Sequence, residues 1–276
     1  MLSRVTSHLH KLIPLVLLML NTLAGVAHAQ QTPVPAPAPG PVLWADEFNA
    51  AGSPAYNPWE WTVRKGAHGP YSCATRRPKN VIQIWGVLAI TARYEPDNTV
   101  CPARDYTMAA LSGKRLHGYG RYEARVHLPD AGSGTWPAFW AAGPDYGEWA
   151  ATNWNAGEID VMEFRGRLPD RASTVLHSLD SRGRHFYRIK DHYSGPFAGQ
   201  WHTFAVDHRP GRIDWIIDGQ IVWTQRPVDV PTGAWDFDHA FQLRLNMQVG
   251  GWGGTPTPAD FPRQYLVDYV RVYALP

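Results

Sequence analysis

The stretch WHTFAVDHRPGRIDWIIDGQIVWT, Trp201 to Thr224, leaves little freedom of fold. Apolar and polar residues alternate through it, the two-residue period of a strand with one buried face. Arg209-Pro210-Gly211 and then Asp218-Gly219 interrupt the alternation, and Asp-Gly is a strong hairpin signal. The stretch predicts three strands joined by short turns. GRYEARVHLP (Gly120 to Pro129) repeats the pattern, with Tyr122, Ala124, Val126 and Leu128 on one face and Glu123, Arg125 and His127 on the other. FQLRLNMQV (Phe241 to Val249) and QYLVDYVRVYAL (Gln264 to Leu275) add two more strands. No segment carries a convincing helical period. Short strands with frequent turns predict an all-β domain of two packed antiparallel sheets, a sandwich or jelly roll.

The domain occupies 42–276, without an internal repeat or second linker. Ahead of it, MLSRVTSHLHKLIPLVLLMLNTLAGVAHAQ has a weakly basic start, an apolar run and the small-residue site Ala27-His28-Ala29. It reads as a secretory signal peptide over 1–29. The alternative, a retained membrane anchor, is disfavoured because the run is short for a spanning helix and Asn21 and Thr22 interrupt it. Residues 30–41, with QTPVPAPAPGP at their centre, read as an extended Pro-rich linker. Export places the domain outside the cell or in the periplasm, free of the membrane once the signal is cut. The 26 basic residues fall to 24 when Arg4 and Lys11 leave with the signal, matching the 24 acidic ones. A neutral domain offers no electrostatic case for nucleic acid or an anionic membrane. All 13 tryptophans lie in the mature domain, and flat indoles stack on sugar rings as well as packing cores. Cys73 and Cys101 reach an oxidising compartment, so a disulfide is the favoured reading over two free thiols.

GEIDVMEF, residues 157 to 164, places Glu158, Asp160 and Glu163 within one short strand. Calcium usually takes more oxygen ligands than these acids supply, often from a flexible loop. A plain surface strand fits poorly, because crowded like charges repel and no basic residue sits among them. Glycoside hydrolysis does need one protonated and one ionised carboxyl beside the scissile bond. Close carboxylate neighbours help hold one of them protonated near neutral pH. Strict alternation would turn Glu163 away from Glu158 and Asp160. A β-bulge at Val161 and Met162 would slip the alternation by one and return Glu163 to their face.

With that bulge, GEIDVMEF resembles the Glu-x-Asp-x-x-Glu signature of glycoside hydrolase family 16 in its laminarinase-type form. WADEFN (Trp44 to Asn49), GYGRYEARV (Gly118 to Val126), WPAFW (Trp136 to Trp140), WHTFAVDHRPGRIDWIIDG and LVDYVRVY (Leu266 to Tyr273) resemble further motifs of the family in the expected order. The likeness spans nearly all of 42–276 and implies a concanavalin-like β-jelly roll. GPYSCATRRPKN (Gly69 to Asn80), followed by Cys101, is similar instead to the disulfide-bearing lichenase branch, and implies that Cys73 and Cys101 pair.

The resemblance implies an endo-β-glucanase acting on β-1,3- or mixed β-1,3-1,4-glucan, with Glu158 as nucleophile, Glu163 as acid/base and Asp160 assisting. Trp136, Trp140, Trp154, His177, Asn246 and Gln248 match positions that face the sugar chain, with a place in the core as the alternative for each tryptophan and for His177. No cofactor is expected for catalysis; a structural calcium is implied at Glu47, Gly86 and Asp268, the first two through backbone carbonyls. The partner is a polysaccharide and the protein is expected to be a monomer. Transglycosylation, or hydrolysis of a galactan or bacterial exopolysaccharide, uses the same machinery and stays open. A sugar-binding jelly roll without chemistry and a structural cell-envelope protein are the readings from other classes.

Overall fold

The alternation in the sequence becomes two packed sheets. The structure, a computed structural model, describes residues 34–49, 55–67, 74–96, 105–144, 146, 154–193 and 195–275. The expected signal peptide and both cysteines lie outside the described residues, as does any bond between Cys73 and Cys101. Among the described residues there is no α-helix, only five short 3-10 turns between strands. Among those residues no helix is long and apolar enough to cross a membrane.

Among the described residues the larger sheet has twelve strands. Gly120–His127 runs through it between Trp201–Arg209 and Arg263–Tyr273, antiparallel to both. Tyr122, Ala124 and Val126 on this strand are buried, as the alternation requires. Asp218 and Gly219 form a two-residue hairpin loop between Ile217 and Gln220. Both have positive φ (48° and 76°), the geometry whose twist matches the flanking strands. One pair departs from the antiparallel expectation: Ala74–Arg76 runs parallel to Tyr106–Met108. The chain between them is long enough for the crossover that a parallel pair needs.

The smaller sheet has, among the described residues, seven strands in the spatial order His185–His192, Ala172–Leu179, Glu158–Phe164, Thr135–Ala142, Phe241–Val249, Ala110–His117 and Trp61–Val63. The core between the sheets takes Phe139, Ala141, Ile159, Val161, Met162, Phe164, Leu243, Leu245 and Met247 from this sheet. It takes Tyr122, Phe204, Trp215 and Val270 from the larger one. The opposite face of the smaller sheet remains for other work.

Part of the Pro-rich linker is docked rather than free. Val34–Pro35 pairs with Gln220–Ile221 at the edge of the larger sheet, and Ala36 N–H donates to Gly219 O at 2.8 Å. Gly40 N–H donates to Ala274 O, and Ala274 N–H to Pro41 O. Proline is compatible with an edge strand because one side of such a strand needs no donors.

Candidate active site

The strand Glu158–Phe164 carries the bulge that the spacing of its acids demands. Asp160 lies opposite Val175 and Glu163 opposite Ser173, so Val161 and Met162 together face one residue, Thr174. On the other side Trp140 pairs with Asp160 and Phe139 with Met162, which leaves Val161 as the extra residue. Val161 and Met162 both turn into the core. Glu158, Asp160 and Glu163 therefore share the outer face. Gly157 permits the entry into this strand: its φ is +65°, and a Cβ there would lie 2.4 Å from Asp236 O.

Register then builds rows across the outer face. Glu158 lies between Ala142 and His177, and Asp160 between Trp140 and Val175. Glu163 lies between Ala138 and Ser173. One strand further, Gln242, Arg244, Asn246 and Gln248 oppose Ala142, Trp140, Ala138 and Trp136. Trp136 Nε1–H donates to Glu163 Oε1 at 2.8 Å, and Tyr146 O–H donates to Glu158 Oε2. Trp140 Nε1–H donates to Asn246 Oδ1 at 2.7 Å. The Arg244 guanidinium lies over the rings of Trp140 and Tyr146, 4.8 and 5.3 Å from their centroids. Beyond Glu163, Arg165 lies 4.0 Å over the Trp252 ring, which meets Trp136 edge-on. Arg165 also donates to Ser173 Oγ and Asp191 Oδ1.

The acids keep only 9% (Glu158), 2% (Asp160) and 7% (Glu163) of their surface exposed, so desolvation dominates their chemistry. Burial and then the charge of Glu163 push Glu158 up to about 8, against the hydrogen bond from Asp160 and the field of Arg244. Burial pushes Glu163 up to about 7, opposed by the Trp136 N–H and by Arg165. Asp160 is raised by burial, by the charges of both glutamates and by its hydrogen bond to Glu158. The three titrate as one unit that holds protons near neutral pH. Such a site can lend a proton to an oxygen at one glutamate and present an ionised carboxylate at the other.

Of the residues marked for sugar contact, Trp136, Trp140, Asn246 and Gln248 share the face of the acids. Trp140 and Asn246 are occupied with each other. His177 belongs to this face, not to the core, with Nε2 3.5 Å from Asp160 Oδ2. Trp154 stacks on His177 and on His185, at 4.7 and 4.1 Å between ring centroids. One oxygen or nitrogen from each of Glu158, Asp160 and His177 lies within 4.8 Å of the others. Sequence reasoning missed Tyr146, Arg165, His185, Arg244 and Trp252. Arg244 had a legible signal, since it alternates with Gln242, Asn246 and Gln248 along one strand.

The expected calcium positions lie on the larger sheet, away from this face. Val42–Asp46 and Val87–Tyr94 pair with the same strand, Val270 opposite Asp46 and Val267 opposite Leu88. The two therefore end facing each other beside Asp268, which brings Glu47 and the turn residue Gly86 to one place. Arg271 holds the Glu47 carboxylate at 2.7 and 2.8 Å, and Arg125 holds Asp268 Oδ2 at 2.7 Å. With those carboxylate oxygens engaged by arginines, a cation here would be held by the backbone carbonyls of Glu47 and Gly86 and the other oxygen of Asp268.

Carboxylic acids of raised proton affinity, fixed on a rigid strand and bordered by tryptophans, are what the hydrolysis of a glycosidic bond requires, and the protein is a glycoside hydrolase on a jelly-roll sandwich. The model of glycosyl hydrolases family 16 matches residues 78–271. The chain is 35% identical over 258 residues to the beta-glucanase of Rhodothermus marinus, covering 84% of each. It is similar to the endo-beta-1,3-glucanase of Pyrococcus furiosus at a TM-score of 0.75 and 30% identity, over 88% of this chain and 98% of that one. A mutant of SCLam, a non-specific endo-beta-1,3(4)-glucanase, presents a 1,3-beta-D-cellobiosyl-glucose at its active site. The chain resembles it at a TM-score of 0.74 and 28% identity, over 88% of this chain and 97% of that one. The chain belongs to glycoside hydrolase family 16.

Proposed function

We propose that the protein is a secreted, monomeric, retaining endo-β-glucanase that cuts internal bonds of β-1,3- or mixed β-1,3-1,4-glucan. The observation that carries the chemistry is the bulge, which sets Glu158 and Glu163 on one face with a separate donor on each. Burial and the charge of Glu163 leave Glu158 with the higher proton affinity, so the roles follow the family resemblance and not proton affinity. With the shared proton on Glu163, Glu163 gives it to the glycosidic oxygen while Glu158 attacks the anomeric carbon, and the bond from that carbon to the leaving oxygen breaks. Glu163 then takes a proton from water, whose oxygen displaces Glu158 and restores the original configuration. Asp160 adjusts the proton affinity of its neighbours. The relatives' actions on β-1,3- and β-1,3(4)-glucans support the substrate class, and the leader sequence supports export to where such polymers lie.

Chemical rescue tests the roles. Glu158→Gly should lose nearly all activity, and azide in the vacated space should convert an activated β-glycoside to the α-glycosyl azide. Glu163→Ala should lose about 10²–10⁴-fold on natural glucan, the usual worth of a general acid. It should still form the glycosyl-enzyme from an activated substrate and give the β-glycosyl azide. Swapped products would reverse the two roles, and near-native activity in both variants would remove the catalytic reading. On laminarin and lichenan the wild type should lower viscosity well before reducing ends accumulate. Products from a galactan alone would move the substrate without moving the site.

A further inference from the structure

His177 and His185 form a hydrogen-bonded imidazole pair beside the acids. His177 Nδ1 and His185 Nε2 are 3.0 Å apart, and the rings are within 11° of coplanar. Trp154 lies over both rings, at 23° to His177 and 14° to His185. Secondary structure does not impose this arrangement. His185 sits on the outer edge strand opposite Leu179, whereas the residue opposite His177 is Tyr187. The free side of His177 points into the acid cluster. Its Nε2 is 3.5 Å from Asp160 Oδ2, which is buried and makes no hydrogen bond.

Two neutral imidazoles have one N–H each, so the pair has two arrangements. Burial depresses the proton affinity of both rings, that of His177 down to about 3, and keeps them neutral. In one arrangement His185 Nε2–H donates to His177 Nδ1, and His177 Nε2–H points at Asp160. In the other His177 donates to His185, and the Nε2 lone pair faces Asp160 Oδ2. The first offers a donor to the lone pairs of Asp160 Oδ2, and the second requires a proton on that oxygen. The charged or titratable groups that face the pair from the described elements are Asp160 and Glu158 on the acid strand and Tyr187 on the edge strand. Tyr146 and Arg244 lie beyond Glu158.

We infer that His185 is a positioning residue: by donating to His177 Nδ1 it holds the His177 Nε2–H toward Asp160 and so sets the protonation of the acid cluster. The inference rests on the catalytic reading of that cluster. Its first readout needs no activity. Nitrogen-15 NMR of the histidines should find His177 as the Nε2–H tautomer in the wild type. In His185→Phe, which keeps a ring beneath Trp154 but no donor, His177 should become a mixture. His185→Gln, whose amide N–H can donate again, should restore the wild-type signal.

The second readout is kcat/KM against pH on laminarin. Losing the donor favours a protonated Asp160, so His185→Phe should move the acidic limb upward by about one pH unit, a tenfold change in proton affinity. His185→Gln should return it. A variant that only lost a stacking contact would raise KM and leave the limb in place. An Nδ1–H tautomer in the wild type, or superposable pH profiles for wild type and His185→Phe, would overturn the inference. If the tautomer follows His185 while no glucan is cleaved, the positioning stands and the proposed function falls.

Discussion

Glu158, Asp160 and Glu163 work against the stability of the fold that holds them. Each has its proton affinity raised by burial, so the native state keeps protons that the unfolded chain gives up. An unfolded glutamate releases its proton near 4.5, whereas Glu163 holds on to about 7 and Glu158 to about 8. Between those limits the native state binds more protons than the unfolded one, and stability falls as pH rises. Well below the unfolded values, 4.5 for the glutamates and 3.8 for the aspartate, the acids are neutral in both states and the contribution is constant. The loss across the window should be on the order of a few kcal/mol. Glu158→Gln keeps the shape and removes one ionisation, so its melting temperature should exceed the wild type's at pH 8 and approach it at pH 4.5. Melting curves of both proteins across this range check it, and parallel pH dependences would refute it. Catalysis and stability make opposite demands on these carboxyls.

The bulge makes the acid strand legible from sequence, because a five-residue spacing cannot otherwise keep Glu158 and Glu163 on one face. It also predicts how deletions behave. Removing Val161 leaves Glu-Ile-Asp-Met-Glu in strict alternation, with all three acids still outward. The variant should fold with some activity, less stable by the roughly 1.5–3 kcal/mol of a buried valine. Removing Ile159 instead turns Glu158 into the core or Asp160 out of register, so activity should vanish and the fold should weaken further. Melting and laminarin hydrolysis of the two deletions test this, and an active Ile159 deletion would break the logic. The same alternation exposes the row Gln242, Arg244, Asn246 and Gln248. It does not reveal that Trp140 takes Asn246 for itself, which depends on the register between two strands. Tyr146 and Trp252 arrive from loops and His185 from a neighbouring strand, so no local period announces them. Strand identity is a local property, whereas the company of the acids is set by which strands become neighbours.

At the scale of the molecule, elements distant in sequence meet where strands end. The Pro-rich segment reads as an extended tether by composition, and composition carries no trace of the open edge at Gln220–Ile221 that takes Val34–Pro35. The junction of Val42–Asp46 with Val87–Tyr94 beside Asp268 is a second such place. There the ends of two strands meet beside a carboxylate, one oxygen of which is held by Arg125. We propose that calcium binds at Glu47, Gly86 and Asp268, and that it joins three separate parts of the larger sheet without entering the chemistry on the smaller one. A ligand that binds only the native state stabilises it by about 2.7 kcal/mol at a hundredfold excess over Kd. For a domain of this size that corresponds to roughly 5–10 °C in melting temperature. Chelation should therefore lower the melting temperature by that amount, and added calcium should restore it. Asp268→Ala should melt lower and respond to neither chelator nor calcium, because its cation ligand is gone. The pH profile of glucan hydrolysis should be the same with and without calcium, since these residues lie on the other sheet from the acids. An unchanged melting curve after verified removal of calcium would eliminate the site, and a displaced pH profile would link it to the chemistry after all.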